Sequence, residues 1–249
     1  MNFQGKVALV TGSTTGIGEA IAERLHQHGA KVIIASRSLQ KAQQKARSLS
    51  ADGQTALGIG CDVSKPEQVC QLIHGSVSHF GRLDYAVNNA GTTGEHNRNI
   101  TEQAEDNWEN VIANSLSSVF YCMKYEIPEM LKSGGGAIVN LSAVNGLVGI
   151  AGLAPYTAAK HGVIGLTRSA ALEFACKGVR VNAVAPGYVS TSRVNELPEE
   201  ILRNFANSHP MARMARMDEV AEFVMFLLSE NASFCTGGIY PIDGGYLAR

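Results

Sequence analysis

At 249 residues, with 45% apolar and 17% charged side chains, the chain can fill the core of one large α/β domain, which excludes global disorder. A net charge of −1, with acids and bases mixed along the chain, provides no field to gather nucleic acid or an anionic membrane surface. No apolar run approaches the roughly 20 residues of a membrane helix.

The N-terminal MNFQGKVALVTG enters a strand pattern without the layout of a signal peptide. An apolar run at 6–11 leads through Thr11-Gly12-Ser13-Thr14-Thr15-Gly16-Ile17-Gly18 into a helical pattern at 18–28. Glycines at such a junction let the backbone turn sharply and approach a phosphate, while the helix N-terminus presents free N–H groups and a favourable dipole. The spacing is GxxxGxG and not the common GxGxxG, so by itself it is also compatible with an ordinary tight turn. The second strand, 31–35, ends in Ala35-Ser36-Arg37. A site selective for NAD places an acid here for the ribose 2′-hydroxyl; this chain offers a hydroxyl and a guanidinium, suited to a 2′-phosphate. The expected cofactor is therefore NADP, with NAD as the alternative and a merely solvated cation as the plainer reading of Arg37.

Further strands are predicted at 56–61, 83–88, 137–141, 180–185 and 240–242, and further helices at 39–50, 66–80, 104–132, 156–177 and 218–228. Strands alternating with helices signal βαβ units, and right-handed crossovers leave few arrangements. The expected fold is α/β: a single Rossmann-type domain, its doubly wound sheet of seven parallel strands covered by helices on both faces. The stretch 190–217 interrupts the alternation after a strand's carboxyl end, where ligands bind in such sheets, and reads as a substrate lid. Five cysteines (Cys61, Cys70, Cys122, Cys176 and Cys235) are odd in number and lack CxxC pairing, which points to reduced thiols in a cytoplasmic protein. The seven histidines show no HExxH spacing, so no metal site is expected.

Several motifs in order resemble those of the short-chain dehydrogenases/reductases over essentially the whole chain. The turn Thr11–Gly18 has that family's TGxxxGIG form. Cys61-Asp62-Val63 is similar to its adenine-contacting segment, and Asn88-Asn89-Ala90-Gly91 matches NNAG. Tyr156-Thr157-Ala158-Ala159-Lys160 matches YxxxK, Pro186-Gly187 through Thr191 matches the turn that holds the nicotinamide carboxamide, and Asp243-Gly244-Gly245 matches the C-terminal end. The resemblance implies an oxidoreductase that binds its cofactor through Gly12, Ser13, Thr15, Gly16, Ile17, Gly18, Ser36 and Arg37. To these it adds Asp62, Val63, Asn89, Ala90, Gly91, Tyr156, Lys160, Pro186, Gly187, Val189 and Thr191.

By the same resemblance Tyr156 is the general acid/base and Lys160 also holds the nicotinamide ribose. Four residues apart on one helix, they share a face. An ammonium and an oxidised nicotinamide ring beside the phenol would both lower its pKa from ~10 towards the working range. Asn114 matches the family's mid-helix Asn, which bends the helix so that a water joins a proton relay to the lysine. A polar Asn inside an apolar helix is otherwise disfavoured.

The chain departs from the family at the serine, which lies thirteen residues before the tyrosine. Counting back from Tyr156 lands on Ala143, with Ser142 one position early. Neighbouring strand residues point to opposite faces, so Ser142 does not simply substitute. Three readings are compatible with this. Ser142 is swung into place as the strand ends and acts catalytically. A water or another group, Asn145 among them, orients the carbonyl. Or activity is reduced or absent.

The helices at 104–132 and 156–177 match those that build four-helix interfaces in the family, implying a homotetramer or homodimer, though the sheet alone could also consume their apolar stripes. The leading expectation is an NADP(H)-dependent enzyme interconverting a small-molecule ketone and a secondary alcohol. A 3-oxoacyl-carrier-protein reductase shares every motif, but Lys124-Tyr125-Glu126-Ile127-Pro128-Glu129 mixes acids with its base where an acidic carrier would want cations. A non-catalytic dinucleotide-binding protein has Ala143 in its favour and intact Tyr156 and Lys160 against it.

Overall fold

The computed structural model describes residues 1–248. Its strands are β1 (Val7–Thr11), β2 (Lys31–Ser36), β3 (Ala56–Gly60), β4 (Tyr85–Asn88), β5 (Gly136–Leu141), β6 (Val179–Pro186), β7 (Val189–Ser190), β8 (Ala215–Arg216) and β9 (Ile239–Ile242). The helices are α1 (Gly16–Gln27), α2 (Leu39–Leu49), α3 (Pro66–Phe80), α4 (Glu105–Ile112), α5 (Ser118–Lys132), α6 (Ala154–Phe174), α7 (Ser192–Asn195), α8 (Glu199–Asn207) and α9 (Met217–Leu228).

Among the described residues seven strands form one parallel sheet in the order β3-β2-β1-β4-β5-β6-β9, the expected doubly wound arrangement. β1 is buried along its whole length, as a strand covered on both faces must be. One core packs Ile21 and Leu25 of α1, Ala42 of α2, and Val224 and Leu228 of α9 against the sheet. The other packs Val69 and Leu72 of α3, Val119 and Ile127 of α5, and Val163 of α6 against the opposite face. Strand order reverses between β1 and β4, and the crossovers leave their carboxyl ends to opposite sides, which opens a crevice there.

Local chemistry explains most boundaries. α3 starts at Pro66, whose ring is preset for a first helical turn, and stops before Gly81, which takes the left-handed region at φ 80°. The helix expected at 104–132 is divided: a π-helical segment, Ala113–Ser117, joins α4 to α5 and contains Asn114. Such a bulge inserts a wider turn and redirects the helix that follows, a feature common at functional sites. Its mark in the sequence is Asn114, the polar residue read as bending the helix.

A buried polar chain spans β4 and β5 on the face of the sheet that α5 and α6 cover. Asn88 Nδ2 donates to Glu126 Oε2 (3.1 Å) on α5 and to Asn140 Oδ1 (3.0 Å) on β5, its register partner. Asn140 Nδ2 donates in turn to Thr167 Oγ1 on α6 (2.9 Å). Burial pushes the Glu126 carboxyl up to about 8, only partly offset by the Asn88 bond. Its Oε1 and Asn88 Oδ1 have no partner, so a neutral acid suits the site. Folding therefore takes up a proton between pH 4.5, the group's ordinary value, and about 8. Stability should fall as pH rises through that window, with a limiting slope of about 1.4 kcal/mol per pH unit, and level off above it. Glu126→Gln should remove this dependence and be the more stable protein at pH 8, measured by urea unfolding across pH; a variant less stable than wild type at pH 8 would contradict it.

Candidate active site

The turn from β1 to α1 is clamped to the end of β4. Thr11 Oγ1 accepts from the Asn89 and Ala90 amides (3.0 and 3.1 Å), and Asn89 Nδ2 donates to the Thr11 carbonyl (2.9 Å) and the Gly12 carbonyl (3.1 Å). Gly12 and Gly16 both sit at φ 64°, a region costly for any side chain. A β-carbon at Gly18 would stand 2.5 Å from the Gly12 carbonyl oxygen, so the turn closes only on glycine. The result is a backbone cradle ending at the N-terminus of α1, with Thr15 as its extended N-cap residue.

A cleft of about 560 Å³ opens over this cradle, lined among others by Gly12, Thr14, Thr15, Ile17, Ser36, Arg37, Val63, Asn89, Ala90, Gly91, Asn114 and Thr191. Its size, its glycine floor and its helix N-terminus fit an extended dinucleotide. At the far end Arg37 and Lys41 both line the cleft, and among the described residues neither pairs with a carboxylate. Lys41 was not singled out from the sequence. The available signal was its place in the first turn of the helix after β2, four residues beyond Arg37. Ser38 caps that helix through the Lys41 amide (3.3 Å), and the Ser36 hydroxyl is spent on the Ser38 carbonyl (2.9 Å).

Several expected cofactor residues also serve the frame. The fully buried Ser13 hydroxyl donates to the Val10 carbonyl (2.7 Å) and accepts from the Ala35 amide (3.1 Å), cross-linking β1 to β2. Its neighbour Thr14 lines the cleft in its stead. The Asp62 carboxylate accepts from the Ser64 amide (3.0 Å) and hydroxyl (2.7 Å), shaping the turn that presents Val63. Pro186 ends β6, Gly187 follows it, and Val189 pairs with Ala215 across β7 and β8.

Tyr156 and Lys160 lie on α6, with the Lys160 ammonium 5.5 Å from the centre of the Tyr156 ring. Lys160 is buried and donates to the Leu141 carbonyl at the end of β5 (2.5 Å). Burial pushes the Tyr156 phenol up to about 12 and the Lys160 ammonium down to about 8. Burial is the cause of both shifts, whereas the lowering expected for the phenol drew on a bound oxidised nicotinamide ring as well as the ammonium. A protonated phenol beside a titratable amine is suited to giving a proton.

Asn114, in the π segment, donates through Nδ2 to the Asn110 carbonyl (2.9 Å) and side-chain oxygen (3.0 Å). Ser142 is not turned towards the phenol. Its amide continues the strand ladder to the Val184 carbonyl (2.9 Å), and its buried hydroxyl donates to the Lys160 carbonyl (3.0 Å). Among the described residues it makes no bond to Tyr156. Strand alternation runs through Ser142, so Ala143, extended at φ −165°, presents its β-carbon to the other side. Asn145, in the 3-10 turn Val144–Gly146, is buried and its Nδ2 has no partner.

The stretch 190–217 is tied at its neck where β7 pairs with β8 in parallel, Val189 opposite Ala215. Tyr188 stacks on Phe205 of α8, with ring centres 3.9 Å apart and planes within 7°. His209 bridges the two: Nδ1 donates to the Phe205 carbonyl (2.8 Å) and Nε2 accepts from the Tyr188 amide (3.2 Å), which assigns the tautomer. Thr191 caps α7 and stands with its methyl 3.6 Å from where a β-carbon on Gly16 would lie, so this stretch faces the cradle.

Residues 12–247 match a family model described as Enoyl-(Acyl carrier protein) reductase. The chain is 43% identical over 247 residues to cyclohexanol dehydrogenase of Acinetobacter sp. (strain SE19), covering 99% of this chain and 97% of that one. It is 43% identical over 246 residues to cis-4-hydroxycyclohexanecarboxylate dehydrogenase of Sinomonas cyclohexanicum, covering 99% and 98%. The solved structure of ElxO with NADP bound superposes with a TM-score of 0.92 at 35% identity, covering 98% of this chain and 99% of that one.

Proposed function

The chain belongs to the short-chain dehydrogenase/reductase family, a family of NAD(P)-dependent oxidoreductases, and from that premise we propose that it interconverts a cyclic secondary alcohol and its ketone using NADP(H). The observation that carries the chemistry is the Tyr156–Lys160 pair, one helical turn apart on α6, with Lys160 buried and its ammonium 5.5 Å from the centre of the Tyr156 ring. Bound NADP(H) supplies or takes up the hydride. Tyr156 gives its phenolic proton to the oxygen that becomes the alcohol, and Lys160 holds the nicotinamide ribose and favours the phenolate left behind. Asn114, half-buried in the π segment and lining the cleft, connects this pair to solvent water. The stretch 190–217 closes over the ring of the substrate, with the Pro186–Thr191 turn against the carboxamide. Arg37 and Lys41 hold the 2′-phosphate.

A cyclic alcohol is favoured because two relatives at 43% identity are named for oxidising cyclohexanol and a hydroxycyclohexane carboxylate. The family model's description favours an acyl-carrier substrate as the second reading. Following NADPH oxidation over a panel of cyclohexanone, 4-carboxycyclohexanone and a 3-oxoacyl thioester separates them: cyclic ketones should be reduced fastest. No turnover on any ketone would overturn the enzyme reading.

The protein works as a homodimer or homotetramer in the cytoplasm, in keeping with its five free cysteines. Its helical interface is built on α5 and α6. Leu116, Phe120, Tyr121, Gly162 and Leu166 line a shallow apolar groove there, and Phe120 remains 48% exposed. Phe120→Asp should lower the mass read by light scattering to that of a monomer. An unchanged mass would place the interface elsewhere.

A further inference from the structure

Reduction of a carbonyl places growing negative charge on its oxygen, and a second donor beside the acid stabilises that charge most in the transition state. At position 143 this chain has only a methyl group, and the Ser142 hydroxyl is committed to the Lys160 carbonyl. The next polar side chain along the same stretch is Asn145, in the turn that leads from β5 towards α6. It is 6% exposed, yet its amide Nδ2 donates to nothing. A buried donor left unpaired opposes folding unless an occupant of the site accepts from it. The turn is seated on the helix of the acid/base pair: a β-carbon on Gly146 would stand 2.7 Å from the Lys160 carbonyl and 3.1 Å from the Ile164 side chain. Thr157 Oγ1 is also buried and unpartnered, but it follows Tyr156 by one residue and so lies on a different face of α6 from the Tyr156–Lys160 pair.

We propose that the Asn145 amide donates a hydrogen bond to the substrate carbonyl oxygen, replacing the serine hydroxyl that position 143 lacks. Asn145 and Tyr156 then share one oxygen. NADPH, when bound, would supply the hydride to the carbonyl carbon; the Tyr156 phenol gives its proton to the oxygen, and the Asn145 N–H stays whole throughout. An amide donor does not titrate, so orientation of the carbonyl is independent of pH. The proposal rests on the ketone-reductase reading above.

The test compares variants on whichever cyclic ketone the wild type reduces fastest. Asn145→Ala should lower kcat by about 100-fold, the loss typical of a missing oxyanion donor. NADPH affinity by fluorescence titration and the thermal midpoint should stay near wild type. Adding Ala143→Ser to Asn145→Ala should return at least about tenfold of the lost rate, by restoring a donor on the same oxygen. Near-native kcat in Asn145→Ala, or a loss that Ala143→Ser does not recover, overturns the proposal, because the amide then serves the turn and not the carbonyl. Tyr156→Phe, assayed alongside, keeps the two readings apart. If it abolishes turnover while Asn145→Ala does not, only the Asn145 assignment fails. If Tyr156→Phe is itself fully active, the reductase mechanism fails and the Asn145 assignment falls with it.

Discussion

Tyr156→Phe should cut ketone reduction by about 10²–10⁴-fold, the usual worth of a positioned general acid, while NADPH binds nearly as before. The change removes one oxygen from a phenol that burial holds protonated, pushed up to about 12. Only the proton given to the alkoxide is lost, so kcat carries the whole effect. Lys160→Ala should damage both kcat and cofactor affinity, because the ammonium serves phenol and ribose together. It also leaves the Leu141 carbonyl without its buried donor. The wild-type pH profile follows from the same pair. Burial lowers the Lys160 ammonium to about 8, so its charge is present below that pH and is lost as pH rises through it. Reduction should therefore hold level up to pH 7 and decline above 8. A Tyr156→Phe enzyme that retains native turnover would remove the phenol from the mechanism.

The second large effect is on cofactor choice. Arg37→Ala should weaken NADP(H) binding by roughly 1.5–3 kcal/mol, about one to two decades, since a charge-assisted contact to phosphate is lost. NAD(H), without the phosphate, should bind unchanged. Lys41 lines the same end of the cleft without a carboxylate partner, so the Arg37→Ala/Lys41→Ala pair should erase the preference. Both cations are exposed and ordinary salt screens them, so the discrimination should shrink as ionic strength rises. Equal dissociation constants for NADP and NAD in the wild type, measured by titration calorimetry, would show that neither cation reads the phosphate.

Much of this was legible along the chain because it depends on local physics. Alternation of buried strands with amphipathic helices, together with right-handed crossovers, leaves the doubly wound sheet as the main solution. The glycines of the first turn announce a close backbone approach that no other residue permits. Tyr156 and Lys160 share a face because four residues make one helical turn. Ala143 was readable as a departure by counting back from Tyr156, and period-two alternation already argued that Ser142 faces away.

What needed the tertiary structure depends on contacts between segments distant in sequence. Asn114 already implied a bend in the predicted 104–132 helix, but that the bend is a π segment over Ala113–Ser117 needed the structure. Ser13 was assigned to the cofactor because it lies in the turn, but β2 passes close enough to claim its hydroxyl. Lys41 reaches the cleft because α2 starts beside Arg37, and Asp62 Oδ1 also shapes its own turn. The burial that raises the Tyr156 phenol is a property of packing that adjacency to Lys160 in the sequence does not reveal. Glu126 looked like one acid in a mixed surface run, yet α5 turns it into the core against Asn88. Composition along a helix determines which residues are available, but which face is covered is decided by what the rest of the chain lays against it.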